Sequence, residues 1–137
     1  MRITALCMCT ALLMSSCATG GIELPEKYNL DNQLESVSYI SKYQGYIGWE
    51  MVDRQSFVLQ TSPSDYYLIV LQIPAPDLPF SESISISSSG SMVRAGMDTV
   101  TLLRQSRKVP PYIIEKIYHL KGKEQVRTIR EQIRAVK

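Results

Sequence analysis

Tyr66-Tyr67-Leu68-Ile69-Val70-Leu71-Gln72-Ile73 is the stretch on which the fold turns. It is the strongest apolar run of the chain outside the opening segment. It is too short and too rich in β-branched and aromatic residues for a helix, so it predicts the central strand of a sheet. Turn chemistry bounds it on both sides. Before it lies Thr61-Ser62-Pro63-Ser64-Asp65, where proline presets the backbone angle and Ser and Asp can bond locally. After it, Pro74, Pro76 and Pro79 stop the strand, and Asp77-Leu78-Pro79-Phe80 reads as a corner with one helical turn.

Working outward, the same grammar repeats. Residues 37–48 hold Tyr39, Ile40, Tyr43, Tyr46 and Ile47, which favour strands. Asp53-Arg54-Gln55 is a connection, after which Phe57 and Leu59 alternate with Ser56 and Gln60. On the far side, Ile84 and Ile86 alternate with Ser83, Ser85 and Ser87, and Ser88-Ser89-Gly90-Ser91 is a turn. Past Gly96 and Asp98, Val100 and Leu102 alternate with Thr99 and Thr101. Pro110-Pro111 closes a loop, and residues 112–119 form a last strand. Strands every ten or so residues predict a mainly β domain over 37–119, a small antiparallel barrel or sandwich.

From Lys123 the period changes. Val126, Ile129, Ile133 and Val136 share one helical face with arginines around them, so 120–137 reads as a short C-terminal amphipathic, basic helix. It can dock on the body or lie on anionic headgroups; a narrow stripe without aromatic anchors favours docking. Six basic and two acidic residues make this tail +4, against −3 for residues 17–120. The whole chain is only +2, too little to suggest nucleic acid.

The N-terminal end carries an address. Arg2 is followed by a mostly apolar run, residues 3–14, with no acidic residue, and then by Leu13-Met14-Ser15-Ser16-Cys17. The run is far shorter than the ~20 residues a bilayer span requires, so 1–16 reads as an export signal. It resembles a bacterial lipoprotein signal. That resemblance implies cleavage before Cys17, a thioether-linked diacylglycerol on Cys17 and an N-terminal acyl chain such as palmitate. Two or three chains together hold a protein almost permanently. Ala18 stands where an aspartate would imply inner-membrane retention, which favours the periplasmic face of the outer membrane. An inner-membrane lipoprotein and a soluble periplasmic protein are the alternatives. Residues 17–36 are polar and read as a tether with a reach of about 25 Å, with a helical turn near Leu34. Leu24 and Tyr28 are the residues through which it could instead pack on the domain. The remaining cysteines, Cys7 and Cys9, fall in the signal, so the mature chain has no disulfide and must stand on packing and hydrogen bonds.

Several pieces of the body occur in a recognisable order: Gly48-Trp49-Glu50, Asp53-Arg54, Thr61-Ser62-Pro63-Ser64, Tyr67-Leu68, Pro74-Ala75-Pro76-Asp77-Leu78, residues 84–88, and Val93-Arg94-Ala95-Gly96-Met97-Asp98-Thr99-Val100. Over about residues 39–118 the chain resembles DUF6491, a family of unknown function among small secreted proteins and lipoproteins of Gram-negative bacteria. The resemblance implies a fold and no activity. It also implies that two cysteines usual in the family are missing here, one at Ala75 and one near Pro110 or Pro111. A paired loss points to a disulfide in relatives and to proximity of those two places in the fold.

Chemistry-bearing constellations are sparse. His119, the only histidine, has no nucleophile motif before it and reads as a surface or helix-capping residue. Asp53, Asp77 and Asp98 lie near turns and read as backbone caps; convergence of Asp53, Asp98 and His119 in one cleft would argue for an enzyme. No metal-ligand spacing, phosphate loop or cofactor motif is seen. Trp49 and the tyrosines Tyr39, Tyr43, Tyr46, Tyr66, Tyr67 and Tyr112 suit a sheet face, or an aromatic groove if they are exposed together. The expectation is a non-enzymatic, lipid-anchored envelope protein that meets the membrane through its anchor and an envelope protein through its surface, without nucleic acid, metal or cofactor. The alternative is a β domain that binds a small ligand in a barrel cavity or aromatic groove.

Overall fold

The computed structural model describes residues 23–41, 45–104 and 107–136. The expected signal over 1–16, Cys17 with the start of the expected tether, Tyr43 and Lys137 lie outside the described residues. The strands are β1 (Glu35–Val37), β2 (Tyr39–Ser41), β3 (Gly48–Asp53), β4 (Ser56–Gln60), β5 (Asp65–Leu71), β6 (Ser83–Ile86), β7 (Met92–Arg94), β8 (Thr99–Arg104), β9 (Arg107–Lys108) and β10 (Tyr112–Lys121). One helix, α1 (Gly122–Ala135), follows. Short 3-10 turns occupy Glu26–Tyr28 and Leu78–Phe80, the second at the corner expected from its prolines.

The sheet runs β3-β4-β5-β10-β8-β6, all antiparallel, with β1 also on β10 and β9 on β8; β2 and β7 pair separately. It curls into a half-barrel. The expected mainly β domain, a small antiparallel barrel or sandwich with a C-terminal helix, takes the form of a curled half-barrel sheet with the β2–β7 pair beside it and one helix.

Residues 66–71 are continuously apolar because the central strand is covered on both faces, whereas Gln72 and the exposed Ile73 lie past its end. Tyr66, Leu68 and Val70 of β5 join the cluster under α1, while Ile69 and Leu71 join the cluster inside the curl, with Tyr67 at its margin. Alternation in β4 follows suit, with Phe57 and Leu59 inside and Val58 outside. In β10 the register shifts between Ile114 and Lys116. That irregularity lets Ile114 and Ile117, three apart, both point into the curl, and it leaves Tyr118 and Leu120 for the helix side. The interior is closed by Ile40, Leu78, Val93, Val100 and Leu102, each at most 2% exposed.

Gly122 turns β10 into α1. Its φ is +81°, a left-handed conformation that a residue with a Cβ rarely adopts, and its amide donates to the Ser64 carbonyl at 3.0 Å. The Gln125 side chain reaches back to accept from the Lys121 amide at 2.7 Å, satisfying a donor that the first turn leaves free. Val126, Ile129 and Ile133 are buried on the sheet, so the helix docks on the body, while Val136, the fourth residue of the expected stripe, lies past the helix and is exposed. No helix among the described residues is long and apolar enough to cross a membrane.

The expected tether over 17–36 is corrected in its described part. Residues 23–36 form a strap on the helix-side face, with Tyr28, Leu30 and Leu34 buried in the same cluster as α1. A 3-10 turn lies at Glu26–Tyr28, and the turn expected near Leu34 is present as well, with the Gln33 and Leu34 amides both donating to the Leu30 carbonyl at 2.9 and 2.8 Å. Polar composition hides this because the strap is held by hydrogen bonds as much as by apolar burial. The hydroxyl of Tyr118 accepts from the Leu30 amide at 3.2 Å and lies 2.8 Å from the Tyr28 carbonyl, to which it donates. Lys116 pairs with Asp31 at 2.9 Å.

β5 and β10 also bear on the missing cysteines. Leu71 stands opposite Ile114, and the Gln72 amide donates to the Ile113 carbonyl at 2.8 Å. The contact between the two segments reaches Gln72 and Ile113, three residues before Ala75 and two after Pro111. Ala75 is fully buried, with its amide on the Arg54 carbonyl at 2.7 Å.

Candidate functional site

The three groups whose convergence would argue for an enzyme each have separate partners. Asp53, at the β3–β4 turn, accepts from Lys27 Nζ at 2.8 Å, Tyr28 Oη at 2.6 Å, Ser56 Oγ at 2.7 Å and the Gln55 amide at 3.0 Å. Burial alone would raise its pKa, but these bonds, led by Lys27, outweigh burial and hold the carboxyl below its ordinary value. Burial, and then Asp53, push the Tyr28 phenol far above its ordinary range. Asp98 caps the turn before β8, accepting from the Arg94 amide at 2.6 Å and from Ser87 Oγ at 2.8 Å. These bonds likewise outweigh its burial and lower its pKa.

His119 lies in β10, where its register neighbours are Glu35 of β1 and Tyr67 of β5. Its Nε2 is 3.0 Å from Asp65 Oδ1, its Nδ1 is 3.6 Å from Glu35 Oε2, and its ring stacks on Tyr67 at 5.0 Å. It joins three strands as a partly exposed side chain and does not cap the helix, which corrects the capping alternative of the expectation. Asp77 pairs with Arg104 at 3.2 Å at the surface. Among the described residues, no three His, Cys, Asp or Glu side chains gather where they could hold a metal ion.

Aromatic residues are dispersed. Trp49 packs edge-on against Phe57, centroids 6.0 Å apart, and Tyr66 is buried. Tyr67 and Tyr112 are half-buried at the margin of the inner cluster. Tyr39 and Tyr46 are exposed.

What the surface does offer is an open sheet edge beside a row of cations. β3 pairs with β4 alone and ends the sheet. Lys123, Arg127, Arg130 and Arg134 follow the spacing i, i+4, i+7, i+11, which aligns them on one flank of α1. Two of them fix where that flank points. Arg130 pairs with Glu50 of β3, and Arg134 donates to the Val52 and Met51 carbonyls at 2.8 and 3.1 Å. The C-terminal half of the β3 edge is thereby covered. Toward its start the edge borders a groove of about 220 Å³ lined by Gly48, Trp49, Glu50, Val58, Gln60, Tyr66 and Val126. Gly48 has no side chain to fill it, and a Cβ there would meet nothing within 4 Å. The helical flank was visible in the sequence as a spacing of basic residues; what it faces required the fold.

A curled antiparallel half-barrel with one docked helix defines the class of this domain. The model of a family of unknown function, DUF6491, matches residues 1–136, and the chain belongs to that family. No curated protein and no solved structure matches the chain.

Proposed function

We propose that this is a lipid-anchored periplasmic protein, fixed through Cys17 to the periplasmic face of the outer membrane, which acts without catalysis by presenting its outer surface to an envelope protein. One observation carries the choice of an interaction module over a ligand binder. Residues inside the curl such as Phe57, Ile69, Leu71, Val100, Leu102, Ile114 and Ile117 are fully buried in one apolar cluster, and none of them lines the groove beside β3. Ligand sites are ordinarily concave and enclosed. The grooves among the described residues are open and superficial, whereas an unpaired strand edge is a ready template for another chain.

The strap supports the anchoring half of the reading. Because the chain is already packed on the body from Leu24 onward, only six residues separate Cys17 from the fastened part. Fully extended, they span about 20 Å, so a lipid on Cys17 holds the body close to the bilayer in a restricted set of orientations.

Two measurements on the full-length protein in cells test this. Labelled palmitate should enter the wild-type chain and not Cys17→Ala; label that persists in the variant overturns the anchoring site. Photocrosslinking from exposed positions spread over the surface should trap one envelope protein reproducibly. Failure at every position overturns the interaction module.

A further inference from the structure

We infer that the β3 edge and the flank of α1 beside it form a docking site for an extended acidic segment of a partner protein, which adds to the sheet as a strand. This rests on the interaction reading above and names the place and chemistry of the contact. Three independent features meet there. The first is the edge itself: β4 is the one strand paired with β3, the turn Leu78–Phe80 lies near it, and the arginine on the edge reaches the carbonyls of Met51 and Val52. The stretch from Gly48 to Glu50 is left to pair, and an incoming strand would find main-chain donors and acceptors there.

The second feature is the groove. Alternate residues of β3 face α1, namely Gly48, Glu50 and Val52, and the side-chain-free one opens the 220 Å³ space floored by Val58, Tyr66 and Val126. Every second residue of an added strand points to that face, so one small apolar side chain of the partner seats in the groove.

Charge is the third. Arg130 is occupied by Glu50, and Arg127 is shared only with the exposed Glu124 of its own helix. Lys123 and Arg127, both exposed, extend the row along the open half of the edge. A strand laid on β3 would bring its carboxylates to them, whereas a basic segment, or a second copy approaching with its own arginine row, would be repelled.

The test uses the full-length, lipidated protein in detergent micelles and a display library of short linear peptides. Trp49, the only tryptophan, stands in β3 and reports occupancy through its emission. Selected peptides should be rich in Asp and Glu and should shift that emission. Lys123→Glu combined with Arg127→Glu should weaken binding by about tenfold or more, and added salt should weaken binding to the wild type. Gly48→Val, whose Cβ would meet nothing within 4 Å and whose branches would occupy the groove, should do the same. Arg94→Glu, on β7, should not. N-methylation of the peptide backbone at residues of one parity should abolish binding, and at the other parity should spare it. Peptides without acidic bias, an unmoved Trp49 signal, indifference to charge reversal, or tolerance of N-methylation at both parities would each overturn the proposal. If the crosslinking scan captures a partner only from other surfaces, this site is wrong while the interaction module stands. If it captures none, the broader reading fails first.

Discussion

Tyr118 and Tyr28, ninety residues apart, are joined by a hydrogen bond of 2.8 Å from the Tyr118 hydroxyl to the Tyr28 carbonyl. The same hydroxyl accepts from the Leu30 amide at 3.2 Å. One buried oxygen on β10 therefore satisfies two backbone groups of the strap. Its removal in Tyr118→Phe leaves both without that partner at a site where Tyr28 and Leu30 are almost fully buried. A buried polar group without a partner costs about 1–3 kcal/mol. The variant should lose roughly that in urea unfolding. Hydrogen exchange should quicken first in residues 23–36, with the sheet still protected. Uniform loss of protection would show that the strap is no separate unit.

Asp53 ties the same strap to the β3–β4 turn through Lys27 and Tyr28. Its pKa is depressed in the folded state, so its contribution is full above the unfolded value of 3.8 and disappears as pH falls through the lower folded value. Wild-type stability should thus decline below about pH 4. Asp53→Asn should be less stable at neutral pH and should decline less steeply in acid. Asp98, depressed in the same direction, keeps some slope in the variant. Equal acid slopes would place the titrating group elsewhere.

Much of this fold is legible from residues 61–73 because both bounding turns and the apolar run are local signals. Burial on two faces is what makes β5 an unbroken apolar run and not an alternating one. β3 is harder to see. Its inner residues, Trp49 and Met51, are separated by Glu50, Gly48 reads as the end of the stretch 37–48, and Asp53 reads as the start of a connection. The strap is hidden for another reason: the groups that hold it, Tyr118, Lys116 and Asp53, are distant in sequence. The cationic flank of α1 is local and readable. Its alignment with the sheet edge depends on Arg130 and Arg134 finding β3, which no spacing announces.

Helix docking should carry a measurable share of stability. Ile133 is fully buried among residues of the sheet and strap, so truncation both removes apolar burial and leaves a void. Ile133→Ala should cost about 2–5 kcal/mol in equilibrium unfolding. Gln132→Ala, at the exposed neighbouring position, should stay within about 0.5 kcal/mol of wild type. Near-equal effects would mean that the helix is not packed as described.

Two glycines should respond in opposite ways to the same change. At Gly122 a Cβ meets nothing within 4 Å, so sterics with neighbours do not enter; the φ of +81° does. Gly122→Ala should therefore lose about 1–2 kcal/mol, the cost of holding an L-residue in the left-handed region. Gly48 is equally open, and its φ lies outside that region. There Gly48→Ala should be neutral or gain up to about 1 kcal/mol, since alanine restricts the unfolded chain without straining the strand. Thermal unfolding of the two variants side by side decides the matter. Destabilisation at Gly48 matching that at Gly122 would mean that the first residue of β3 is strained, and the groove it borders would then not be free space held open by a glycine.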